Sequence, residues 1–196
     1  MTESIVFKKK SFADILKNNV WCHLGLLILL PLIIYVQSVK FDYTNFDDNG
    51  IILDKIAIVK NIKKIDTVFK TDAFWNSTGD FYRPIQNLSF MLDAQVSGEK
   101  LWMFHITNLI IHILTCVSLY YFLQFLSLKR YTAFLLSLLF AVHPLFASGV
   151  GWIPSRGDIL IGLFGLNLFL TFGKYFKTGN LTYLFLHAIL FVITIF

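Results

Sequence analysis

The chain is poor in charge, in cysteine and in acids. Only 15% of its 196 residues are charged while 56% are hydrophobic, a balance too apolar for a soluble domain of this length, so a freely solvated globule is excluded. Two cysteines, Cys22 and Cys116, fall far apart inside apolar runs. They suggest neither a disulfide framework nor a zinc site and read as packing residues. Twelve acids face seventeen lysines and arginines, for a net charge of +5. That excess does not mark a nucleic-acid surface, because no basic patch is interleaved with aromatics on a polar face. Membrane topology accounts for it better.

What the chain does have is long apolar stretches, with 21 Phe residues concentrated in them. Five segments, at about 20–37, 104–126, 131–150, 159–176 and 182–196, approach the roughly twenty residues that one crossing needs. The expected fold is therefore all-α, a polytopic transmembrane helix bundle with a long, partly helical first external loop. Its parts are a cytoplasmic amino-terminal segment over 1–19 and a membrane domain over 20–196, with the loop over 38–103. The first span follows Lys8, Lys9 and Lys10 but is not trailed by a small-x-small cleavage site, so it reads as a retained anchor. The last offers about fifteen residues, roughly 22 Å of helix against a hydrocarbon core of roughly 30 Å. It is expected either to belong to a longer protein or to end inside the membrane against a partner.

Short basic segments set the orientation. Lys8, Lys9, Lys10 and Lys17, then Lys129 with Arg130, then Lys174 with Lys177, all fall on one side, and nine of the twelve acids fall in the loop on the other. This places the amino terminus in the cytoplasm and the loop on the external face, periplasmic or lumenal. A connection that long is rarely passive. Within it Ile58, Ile62, Ile65 and Phe69 recur at three and four, with Lys55, Lys60, Lys63, Lys64 and Lys70 around the remaining face. The spacing predicts an amphipathic helix, lying on the membrane surface with lysines near phosphates or packed on the loop with a solvated basic face. Trp75, Phe81, Tyr82 and Trp102 suit the interface. Asn76-Ser77-Thr78 and Asn87-Leu88-Ser89 match the glycosylation acceptor pattern, a frequent one.

Four polar clusters return to the external side. Asp47 and Asp48 lie about ten residues past the first span; Tyr82-Arg83-Pro84 precedes the return to the membrane; His105, Asn108 and His112 form one stripe on the second span; His143-Pro144 ends the third, and Arg156 and Asp158 open the fourth. Ionisable groups at a membrane boundary are functional candidates by default, with structural pairing as the competitor. Asn108 and His112 read first as hydrogen bonds to neighbouring helices, and Arg156 and Asp158 equally as a mutual pair or a helix cap. A carboxylate pair can hold a divalent cation, Mg or Mn, with Asp48 as ligand, or one acid can take a proton from a hydroxyl. Guanidinium and imidazole groups just above lipid suit an anionic phosphate. The set therefore points to transfer with a lipid phosphate as leaving group: Asp47 and Asp48 catalytic, Arg83, His105, His143 and Arg156 at the donor phosphate, and Tyr82, Asn108 and Asp158 in support.

The stretches "NFDDNGIILDK" (45–55), "FYRPIQNLSF" (81–90), "FHITNLIIHIL" (104–114) and "HPLFASGVGWIPSRGDIL" (143–160) resemble the membrane O-mannosyltransferase-like proteins of the GT-C glycosyltransferase superfamily, especially those joined to tetratricopeptide repeats. The resemblance implies a polyprenyl- or dolichyl-phosphate sugar donor, an acceptor protein or glycan, an external active site, and an essential acid that maps to Asp47 or Asp48. It also implies further spans, and often a repeat domain, beyond Phe196. Ser148 departs from the pattern, standing where relatives often carry a Glu after the His-Pro motif. The rival class is a non-catalytic truncated membrane protein or lipid-binding subunit. A transporter is the weaker third reading, because the charged residues gather at one surface and no internal repeat is visible.

Overall fold

The computed structural model describes Lys17 and residues 19–196; the Lys8, Lys9 and Lys10 flank and most of the segment 1–19 lie outside the described residues. Those residues fold as helices and irregular connections, with no strand among them. The elements are α1 (Val20–Tyr35), α2 (Ile56–Val59), α3 (Pro84–Ser97), α4 (Trp102–Phe125), α5 (Arg130–Val142), α6 (Ala147–Gly151), α7 (Arg156–Thr178) and α8 (Leu181–Ile195). Three helical stretches, Val20–Lys40, Trp102–Phe125 and Ile153–Thr178, are long and apolar enough to cross a membrane, and the bent pair α5 and α6 makes a fourth if counted as one span. The helix α8 is apolar but shorter.

Each long helix begins and ends where local chemistry allows it. The Asn19 side chain accepts from the Trp21 amide at 2.9 Å, satisfying a free N–H at the start of α1. Mostly apolar, α1 buries the stripe His23, Leu27, Pro31 and Tyr35, four residues apart, packs Val20, Leu24 and Leu26 partly against the same core, and exposes Trp21, Ile28, Leu29 and Ile33 as a lipid-facing helix does. Gly179, at φ +67°, closes α7 with its N–H on the Tyr175 carbonyl, and Asn180 caps α8 through the Thr182 amide at 2.9 Å. That tight link folds α8 back along α7.

The third expected span is not continuous. The helix α5 stops at Val142, a short 3-10 turn covers Pro144–Phe146, and α6 leaves at 54°. Pro144 has no N–H to continue the ladder and holds His143 extended at φ −71°, ψ 130°, with the His143 Nδ1 accepting from the Leu145 amide instead. The amphipathic helix expected near 54–69 is also broken, into the single turn α2 and a 3-10 helix at Ile62–Phe69, after a separate π-helical turn at Asn49–Leu53. Asn61 interrupts it by capping the Lys63 amide. The residues that fix this stretch to the loop core are Val59 and Val68, both fully buried, rather than Ile62, Ile65 and Phe69.

The loop has a core of its own, made of Ile51, Ile52, Val59, Val68, Trp75, Phe90, Met91 and Ala94 and shared with Phe104 of α4 and Ile153 before α7. Asp72 organises its tip, its Oδ1 accepting from the Asn76 amide at 2.7 Å and its carbonyl from the Asn87 Nδ2 at 3.1 Å. Of the two acceptor-pattern asparagines, Asn76 is thus exposed and Asn87 fully buried.

One buried ion pair ties this loop to the membrane helices. Arg156, at the first turn of α7 and 0% exposed, meets the Asp93 carboxylate of α3, 4% exposed, at 2.6 Å. Every face of the guanidinium is used: Nε donates to the Asn108 Oδ1 at 2.6 Å, Nη1 to the Ser89 Oγ at 3.0 Å and Nη2 to the Phe104 carbonyl at 2.7 Å, while the Phe90 ring lies 4.4 Å beneath. Thr107 donates to the other Asp93 oxygen at 2.6 Å. Burial pushes the Asp93 carboxyl above its ordinary value, and Arg156 and Thr107 oppose that push.

Removing one partner strands the other charge away from water, so Asp93→Ala is expected to destabilise the protein by about 3–5 kcal/mol. The apolar double variant Asp93→Leu with Arg156→Met is expected to lose less than the two single changes added together. Denaturant unfolding in detergent micelles, followed by tryptophan fluorescence, measures both, and additive losses would remove the pair as a coupled unit.

Candidate functional site

Two cavities open where the loop meets the ends of the long helices. The larger, about 360 Å³, is lined by Asp47, Phe74, Phe81, Arg83, Gln86, Trp152 and Asp158, among others. It has aromatic walls and a few convergent polar groups, the usual make-up of a small-molecule site. The smaller, about 130 Å³, lies against α7 and α8 and is lined by Leu160, Ile161, Phe164 and Ile193 together with Tyr82, Arg83 and Gln86. Arg83 and Gln86 therefore line both cavities, the larger together with Asp47 and Asp158 and the smaller together with apolar side chains of α7 and α8.

Local sequence explains how these side chains arrive. Pro84 is the first residue of α3, where its missing N–H costs nothing, and Arg83 stands just before it. Gln86, three residues on, shares the same face, and its Oε1 lies 3.5 Å from the Arg83 Nη1. Asp158 is in the first turn of α7, placed there by the Arg156 clamp two residues earlier, and its Oδ1 is 3.8 Å from the Arg83 Nη1. Gly157 lets the two elements approach, since a Cβ there would run into the Gln86 Oε1 and the Arg83 Nη1. Asp47 and Asp48 begin the first helical turn of the loop, after Asn45 at φ +57° reverses the chain.

The two adjacent acids have different environments. Asp47 is half-buried and lines the larger cavity. Asp48 is 1% exposed and turns inward, one oxygen accepting from the Thr44 amide at 2.8 Å and also from the Thr44 hydroxyl. The half-buried Tyr43 hydroxyl nearby is pushed above its ordinary value by burial first and by Asp48 second.

Of the residues singled out by the sequence, Asp47, Arg83 and Asp158 come together at the larger cavity, and Tyr82 stands at the smaller one with its hydroxyl on the Phe69 carbonyl at 3.2 Å. The others do not line that cavity. Arg156 is fully buried, with four of its five N–H groups given to Asn108, Ser89, Asp93 and the Phe104 carbonyl, and it lines neither cavity. Asn108 is held by Arg156 and by the carbonyls of Gly149, Trp152 and Ile153. His105 is fully buried, edge-on to Phe41 at 6.2 Å. His143 is exposed beyond the bend, beside a separate shallow hollow with Leu136, Leu139 and Phe140. His112 follows the structural reading, its Nε2 on the Ala141 carbonyl at 3.0 Å. Gln86, Trp152 and Gly157 were not anticipated. Gln86, buried with no partner for its Nε2, had a signal in its spacing from Arg83; Gly157 and Trp152 had none without the packing.

The residues do not make a metal cage. Among the described residues no three of His, Cys, Asp and Glu group around one point; Asp48 is turned away from the cavity, and of the two carboxylates that line it Asp158 lies beside a guanidinium.

The sequence itself was compared with known proteins. Human protein O-mannosyl-transferase TMTC1 is 34% identical over 116 residues, which cover 56% of this chain and 13% of its own length. Human TMTC3 is 31% identical over 137 residues, 66% of this chain and 14% of its length, and human TMTC2 27% identical over 155 residues, 76% and 18%. The chain thus spans less than a fifth of the length of these relatives. No family model matches, and no solved structure does. The motifs, the helices and these matches agree: the chain is a multi-pass membrane protein related to the protein O-mannosyl-transferases, the membrane O-mannosyltransferase-like group of the GT-C superfamily.

Proposed function

We propose that this chain works in an integral membrane glycosyltransferase that moves a sugar, mannose-like, from a polyprenyl-phosphate carrier to a hydroxyl of an acceptor protein or glycan on the external face, with its amino terminus in the cytoplasm. The observation that carries the reading is that Arg83 and Gln86 line both cavities. A lipid-linked sugar phosphate needs an apolar place for its chain, a cation at its phosphate and a polar place for its sugar, in that order. The smaller cavity between α7 and α8, Arg83 with Gln86, and the larger cavity supply them in that order.

Asp47 then faces the sugar end of the larger cavity, where it serves as general base. The acceptor oxygen forms a bond to the anomeric carbon while the bond from that carbon to the phosphate oxygen breaks. The bonding pair leaves on the phosphate and the acceptor proton passes to Asp47. Negative charge grows on the phosphate in the transition state, and the Arg83 guanidinium with the free Gln86 Nε2 hydrogens meets it. Asp158 holds that guanidinium from the other side. Positive charge at the leaving group comes from Arg83 in this reading rather than from a resident metal. Trp152, Phe74 and Phe81 wall the sugar from bulk water.

Asp47→Asn is expected to lower transfer from a radiolabelled polyprenyl-phosphate mannose donor to a library of serine- and threonine-containing peptides by about 10²–10⁴-fold, without loss of stability. Asp48→Ala is expected to weaken the fold instead, by about 1–3 kcal/mol, because Thr44 loses its buried acceptor. Equal activity in wild type and Asp47→Asn, in membranes where the wild type is active, ends the assignment of Asp47; absence of transfer by the wild type in every membrane tested ends the enzymatic reading in favour of a non-catalytic lipid-binding subunit.

Arg83→Gln should raise the KM for the donor about tenfold, an amount near 1.4 kcal/mol. Gly157→Ala should do the same by displacing Arg83 and Gln86. Unchanged donor KM in both variants would move the phosphate elsewhere.

A further inference from the structure

The 3-10 helix Ile62–Phe69 is held to the loop core by Val68, with Val59 just before it, both fully buried. That leaves Ile62, Ile65 and Phe69 unused by the core, at 37%, 41% and 54% exposed. The backbone kinks at Lys64 (φ −93°, ψ 20°), so the three are neighbours in one short segment rather than a single regular helical face. Single exposed apolar residues are ordinary; three of them in one eight-residue segment ask for an apolar neighbour.

Position says what that neighbour is. The Phe69 carbonyl accepts from the Tyr82 hydroxyl, and the Tyr82 ring lies edge-on at 5.8 Å from Phe196, at the end of apolar α8. The exposed Phe81 is next to it in the chain. Arg83, next to Tyr82, lies 3.8 Å from Asp158 in the first turn of α7, so the segment sits beside the loop-side end of that long apolar helix, the level at which a bilayer has its headgroups.

Charge points the same way. Two lysines of this region are already matched, Lys60 with Glu99 at 2.8 Å and Lys70 with Asp66 at 2.6 Å. Lys63 and Lys64 are exposed and meet no acid among the described residues. They lie between Ile62 and Ile65 in the chain, at the kink, so two ammonium groups stand among the exposed apolar side chains. Isoleucine and phenylalanine at the acyl boundary with lysine stems reaching up to phosphate is the arrangement of an interfacial helix.

We propose that the Ile62–Phe69 helix is a membrane-surface anchor, its Ile62, Ile65 and Phe69 side chains entering the acyl boundary of the bilayer on the loop side while Lys63 and Lys64 bind lipid phosphates. The anchor pins the far end of the loop to the membrane independently of the Arg156 and Asp93 clamp. It does not depend on the glycosyltransferase reading, because it needs no substrate.

The test is a depth measurement on the whole chain reconstituted in vesicles of phosphatidylcholine with phosphatidylglycerol. Ile65→Cys and, separately, Phe69→Cys are labelled with an environment-sensitive thiol dye after Cys22→Ser and Cys116→Ala replacement, and quenched with iodide in the water or with bromine on the lipid chains. Lipid-borne quenching several-fold stronger than iodide quenching at both sites is the expected result. Iodide access equal to that of a dye at the exposed Asn76 position, with no lipid quenching, would overturn the proposal. Adding Lys63→Glu with Lys64→Glu should lower the lipid quenching several-fold, and an unchanged value would refute the phosphate contact. Thermal unfolding of each labelled variant alongside the wild type separates a failed fold from a failed anchor.

Discussion

The contact on which the rest depends is the buried pair of Arg156 and Asp93. Two charges taken out of water are costly unless each hydrogen-bonding group is met, and here the guanidinium touches α3, α4 and an aromatic ring at once. Its consequence is geometric. A clamp at the first turn of α7 fixes Asp158 two residues on, and the same clamp fixes α3, whose first residue follows Arg83. The side chains of the cavity are set by a pair that does not itself line it.

The second constraint is the meeting of two solvents. Helices α7 and α8 present apolar side chains suited to lipid, whereas the loop carries most of the acids and a small core of its own. At their junction two cavities share Arg83 and Gln86, the larger with Asp47 and Asp158 on its wall and the smaller with apolar residues of α7 and α8. A guanidinium suits that junction, since its planar charge can face the polar side while its stem lies along the apolar one. The proposed use of the site follows from this placement and from similarity to proteins named O-mannosyl-transferases.

Much was legible beforehand. Hydropathy located each long helix to within a few residues because a lipid-facing helix must be apolar on every side. The stripe of His105, Asn108 and His112 faces protein, as polar groups on a spanning helix must. The break at Pro144 had its cause written at that residue and was still read as one continuous span. The helix near 54–69 was legible in spacing but not in its capping by Asn61, which cuts it.

Sequence by itself determined that the chain is apolar enough for a membrane, where its long helices lie, and that nine of its twelve acids fall in the connection between the first two. Those properties depend on composition and period, which are local. Only the tertiary structure decided which acid of the adjacent pair faces a cavity, which arginine is free and which is consumed, and that His143 stands apart. Two neighbouring aspartates, or two arginines each beside a proline or glycine, are alike in chemistry and differ only in what distant residues place next to them: Thr44 turns one carboxylate inward, and Asp93 of another helix takes one guanidinium out of reach.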